Sequence, residues 1–152
     1  MQSNSIPTYS NRPGAVTFLT IINAIGFIIT LSFWLLVLFK NLVPSPGDLT
    51  QLAERATAAT TRGFMIADLL FSVPLLLLSA LGLWCLRPWG WTAAQMVNML
   101  WIFSMTVIWT RDVYTAFSPG GILFLPLPMI AIWATWYLWK KRYLFWNFSE
   151  IK

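Results

Sequence analysis

Residues Arg62–Leu86 read RGFMIADLLFSVPLLLLSALGLWCL, and past Arg62 the only formally charged side chain in the run is Asp68. About 20 predominantly apolar residues suffice to cross the hydrocarbon core of a bilayer. Backbone amides in lipid must be paired within the segment, so such a run is predicted to be a helix. A lone carboxylate is expensive there and calls for a partner or a purpose.

Outward from this run, three further apolar segments are long enough to span. They cover residues 15–39, about 92–113 and about 119–139, with the run itself taken as 63–86. The chain of 152 residues is 58% apolar and only 10% charged. A soluble domain carries about 25% charge, so the expected fold is all-α: an up-down-up-down four-helix membrane bundle in one transmembrane domain. Residues 140–152 form a basic and aromatic tail on the cytoplasmic interface. The first segment is longer than a signal-peptide core and lacks an early basic cluster, so it is expected to be retained.

The net charge of +5 arises from residues at the ends of apolar segments. That placement reads as membrane orientation and gives no basic stripe for nucleic acid. Arg12, Arg87, Lys140, Lys141, Arg142 and Lys152 fall on one side, and Lys40, Arg55, Arg62 and Arg111 on the other. The excess places both termini in the cytoplasm. Asn147–Ser149 matches a glycosylation sequon, but a cytoplasmic tail never meets the enzyme.

The chain has no His and one Cys, Cys85. His-ligated haem, imidazole zinc sites, Ser-His or Cys-His catalysis and redox CxxC pairs are thereby excluded. No cofactor or metal is expected. Cys85, within LGLWCL, reads as a packing residue.

RPWGW, Arg87–Trp91, is a short turn that makes the second and third spans an antiparallel hairpin. In the first loop Asp48 followed by Gln51 resembles a capping box. Leu49, Leu52, Ala56 and Ala59 recur near helical spacing, which predicts a short interfacial helix over Asp48–Ala59.

Two polar levels are expected. The first holds Asp68, Ser72 one turn along, and Arg111 from the end of the third span as the expected partner of Asp68. Asp112 is a local competitor for that arginine. Pro126 and Pro128 join this level by bending the fourth span and freeing the carbonyls of Ile122 and Phe124. This set reads either as helix packing or as a ligand or ion site. The second level, nearer the cytoplasm, holds Asn23, Ser79, Gln95 and Asn98, whose amides more often specify packing than bind substrate. Most Trp and Tyr residues sit at span ends as an interface belt. Trp34 and Trp101 do not, and face lipid, pigment or another helix.

The stretch NRPGAVTFLTIINAIGFIITL (11–31) and the corner GLWCLRPWGW (82–91) resemble parts of small uncharacterised bacterial four-span inner-membrane proteins. The resemblance implies a fold and a location, and no activity. Three roles then compete. One is a non-catalytic accessory subunit beside a larger membrane complex, with partner subunits or self-association. Another is a small transporter, channel or ligand-sensing bundle built around Asp68. The third is an enzyme acting on lipid or quinone, whose general acid–base chemistry would rest on Asp68 or Asp112 alone.

Overall fold

The computed structural model describes residues 12–115 and 125–146, and all long elements among them are helices, with no strand. Helix α1 is Gly14–Phe39. Helix α2 runs from Leu52 to Trp84 and is interrupted only by a widened π-turn at Asp68–Ser72. Helices α3, Pro88–Thr115, and α4, Pro126–Lys140, follow. Three helices, Gly14–Phe39, Leu52–Trp84 and Pro88–Tyr114, are long and apolar enough to cross a membrane. Helix α4 has 15 described residues, about 22 Å, and the first part of the expected fourth span, 119–124, lies outside the described residues.

The interfacial helix expected over Asp48–Ala59 is not a separate element. Pro46–Asp48 form one 3-10 turn, Leu49–Gln51 are extended or irregular, and residues from Leu52 onward belong to α2. Asp48 caps nothing, and Gln51 stands at the N-cap without a side-chain bond. The residues between Leu52 and the expected start of the span, largely alanine and threonine, contain no proline, and Gly63 alone does not break the helix. At 33 residues, α2 is about 50 Å long, well beyond a 30 Å hydrocarbon core. Ala58 is the one buried residue of its first half, Leu52–Ala67. The loop before it is tied down by two arginines of that half: Arg55 Nε donates to the Leu49 carbonyl, and Arg62 donates to the Val43 carbonyl at 3.1 Å. Leu49 is half-buried against this segment, while Leu52 stands 82% exposed.

The α2–α3 hairpin is closed at the level of backbone atoms. A Cβ on Gly82 would fall inside the van der Waals envelope of Gly90 Cα, and the reverse holds for Gly90. Leu86 adopts a positive φ of 52°, and Arg87 N–H returns to the Gly82 carbonyl at 2.8 Å. This left-handed stop satisfies a terminal carbonyl of α2, and Pro88 then opens α3 at a position that needs no N–H donor.

All four helices meet at the end of the molecule nearest Gly14, Trp84 and Lys140, here the basal end. Val16, Leu19, Leu83, Ala94, Ala134, Leu138 and Phe145 form its buried core. Phe145 is only 2% exposed, so the short turn Arg142–Leu144 is folded under the bundle rather than trailing away. The outward faces of α1 and α2 are lined by large apolar side chains such as Ile28, Ile29, Phe33, Leu70 and Phe71. Such faces are stable against lipid or against other helices.

Candidate functional site

The polar contacts between helices fall on a regular register. Asn23 Nδ2 donates to Ser79 Oγ at 2.7 Å, and both side chains are buried. Gly26, three residues further along α1, lies against Leu76, three residues earlier on α2. Eight residues beyond Gly26, Trp34 Nε1 donates to Asp68 Oδ2 at 2.9 Å, eight residues before Leu76. The two helices therefore run antiparallel with no slippage over eleven residues. On the other side of the bundle, Trp91 Nε1 donates to the Leu138 carbonyl at 2.9 Å and Gln95 Nε2 to the Thr135 carbonyl at 3.3 Å.

Asp68 is the first residue of the π-turn, and Val73 N–H bonds to its carbonyl. The wide turn immediately precedes Pro74, whose ring has no N–H and clashes with the carbonyl four residues earlier in a regular helix. Ser72 Oγ donates to Asp68 Oδ1 at 2.7 Å. Each carboxylate oxygen thus receives one neutral donor, the indole of α1 or the hydroxyl of its own helix. Trp34 is only 7% exposed and packs edge-on against Phe33 with centroids 4.8 Å apart.

The expected ion pair of Asp68 with Arg111 is not formed. Arg111 instead pairs with its neighbour Asp112, N to O, at 2.9 Å. The hairpin explains why. Gly82 lies opposite Gly90, so Asp68, fourteen residues up α2, stands level with residue 104 of α3. Arg111 is seven residues further on, about 10 Å too high. Asp112 is 5% exposed and its Oδ2 has no hydrogen-bond partner.

The bend expected at Pro126 and Pro128 involves residues 119–124, which lie outside the described residues. Pro126 opens α4, with both prolines in its first turn, where a missing N–H costs nothing. The carbonyls of Ile122 and Phe124 lie outside the described residues. The α3–α4 register from Gln95 and Thr135 places Pro126 near residue 104, so it shares the level of Asp68.

The inner level separates into two interfaces. Asn23 and Ser79 join α1 to α2, while Gln95 joins α3 to α4. Asn98 is 6% exposed and its Nδ2 is unbonded, as are Gln95 Oε1 and Thr135 Oγ1. Trp34 is the partner of Asp68 that sequence reasoning missed. The signal is present in the sequence, because a mid-span tryptophan carries one N–H that must find an acceptor in lipid. Among the described residues no group of three or more His, Cys, Asp or Glu is placed to hold a metal ion.

Comparison with known proteins finds no matching family model, no similar curated protein and no similar solved structure.

Proposed function

We propose that the chain is a non-catalytic, four-span protein of a bacterial inner membrane that works as an accessory subunit beside a larger membrane complex. In this reading the helices cross up-down-up-down with both termini in the cytoplasm, and the first half of α2 rises into the outer phase. The observation that carries it is that half-helix. Leu52–Ala67 continues a membrane span for about four turns, yet buries only Ala58. Helices draw most of their stability from packing, and an extended helix with one face covered by its own loop offers the others to a partner. The polar residues of the spans support the same role. Asn23, Ser79, Trp34, Asp68 and Ser72 are engaged with one another, as expected of groups that fix helix packing.

The test is site-specific photocrosslinking from the exposed positions Ala56 and Ala59 in native membranes, followed by purification in mild detergent. A discrete heteromeric adduct that co-purifies in fixed ratio is the expected result. A protein that purifies alone, with crosslinks to lipid only, overturns the reading.

A ligand-sensing or transport bundle is the second reading, and the π-turn at Asp68 favours it, because π-turns recur at functional sites. It requires Asp68→Asn to abolish the cellular phenotype while the folded, partner-bound protein persists.

A further inference from the structure

Five cations cluster at the basal end: Arg12, Arg87, Lys140, Lys141 and Arg142. The described carboxylates, Asp48, Glu54, Asp68 and Asp112, all lie elsewhere, and none of the five cations is in an ion pair with one of them. The cations rest on aromatic faces instead. Arg12 lies 4.1 Å from the Trp84 ring, Lys140 Nζ 3.7 Å from Trp136, and Arg142 5.5 Å from Trp139. Stacking of this kind holds a cation in place without neutralising it.

The aromatic floor is itself fixed. Trp91 is anchored through its indole N–H to the Leu138 carbonyl, with Trp139 5.6 Å away on one side and Trp146 5.2 Å away on the other. Phe145, buried beside them, pins the turn that carries Arg142. Arg87 lies one turn before Trp91. Its exposed side chain makes no hydrogen bond to any described residue. Arg12 Nε is buried and has no hydrogen-bond partner. The result is a set of cations at the ends of three apolar helices, with Arg12 and Arg142 held on aromatic rings, Arg87 exposed, and none paired with a described carboxylate.

We propose that this basal collar, centred on Arg87 and Arg142 around the Trp91–Trp139–Trp146 cluster, binds the phosphate of an anionic phospholipid. Guanidinium forks match phosphate oxygens, and the tryptophans sit where glycerol and upper acyl carbons lie. A zwitterionic headgroup brings its own cation into the surplus of positive charge and binds less well. The proposal does not depend on the accessory role, since it concerns the opposite end of the molecule from the exposed half of α2.

The test uses the full chain in mild detergent, with phosphatidylglycerol or phosphatidylcholine added, read by native mass spectrometry and by the thermal unfolding midpoint. Phosphatidylglycerol should be retained preferentially and raise the midpoint, and the preference should fall with added salt. Each neutralised cation should weaken retention about fivefold, so Arg87→Gln with Arg142→Gln should lose about 25-fold on the same basis. Lys40→Gln, at the other end, should lose nothing. Arg87→Lys with Arg142→Lys keeps the charge and is expected to retain most of the preference, which separates lost binding from a misfolded variant. Equal retention of the two lipids, an equal loss in Lys40→Gln, or stronger competition by a duplex oligonucleotide than by lipid would each overturn the proposal.

Discussion

Trp34 and Asp68 are joined across the α1–α2 interface by a 2.9 Å hydrogen bond from the indole to the carboxylate. This bond fixes α1 against the π-turn, and it replaces the charge pair that Asp68 lacks. Trp34→Phe keeps an aromatic ring, smaller than the buried indole, and leaves one carboxylate oxygen without its donor. Loss of a bond to a charged group costs about 1.5–3 kcal/mol, and unfolding in detergent should show a loss of that size. Asp68→Asn retains an acceptor for the indole and should cost less. A double-mutant cycle is expected to give coupling between positions 34 and 68, and additivity between 68 and 111. Coupling to Arg111 in place of Trp34 would contradict the register.

The two close glycines of the hairpin predict opposite behaviour from the open one. Gly82→Ala drives a Cβ into Gly90 and should cost about 1–3 kcal/mol or prevent assembly. A Cβ added at Gly63 meets nothing within 4 Å, so Gly63→Ala should stabilise α2 by about 0.5–1 kcal/mol. Thermal unfolding of the two variants decides this, and a tolerated Gly82→Ala would mean that the hairpin is looser than described.

Asn23 and Ser79 form the buried polar contact of the lower α1–α2 interface. Interhelical bonds of this kind average about 0.6 kcal/mol. Ser79→Ala and Asn23→Leu should therefore couple weakly, well below the Trp34–Asp68 pair.

The orientation is open to a direct measurement. A reporter active only outside the membrane should be silent when fused after Lys152 and active when inserted within Pro46–Thr60. Cys85 is exposed near the basal end, so an impermeant maleimide should label it in inverted vesicles and spare it in intact cells. Labelling in intact cells would reverse the topology.

The helical class and the reach of the first and third apolar runs are legible in the sequence because hydrocarbon length and helix geometry leave few alternatives. The expected limits 15–39 and 92–113 match Gly14–Phe39 and Pro88–Thr115 closely. The early start of α2 is not legible in apolar spacing, because the uninterrupted helix propensity of the residues before Gly63 decides it instead. The Asp68–Arg111 pair fails on a register that the sequence does not display. Equal steps about the Arg87–Trp91 turn, centred on residue 89, place Asp68 opposite residue 110 and so favour Arg111. The contact of Gly82 with Gly90 moves the centre to residue 86 and the level of Asp68 to residue 104. Trp34 stands out from the interface belt by its ring, whereas its N–H is the group that sets its place.

The continuity of α2 has a mechanical consequence. A helix of 33 residues is a stiff lever, and a force applied near Glu54 is transmitted along it toward Leu83 in the basal core. The one place where its regular ladder is relaxed is the wide turn at Asp68–Ser72. That turn is the fulcrum, and the indole of Trp34 is the peg that holds it. A tilt of the upper arm would load that bond before it reached the basal core, so Asp68 would be the first residue to register it.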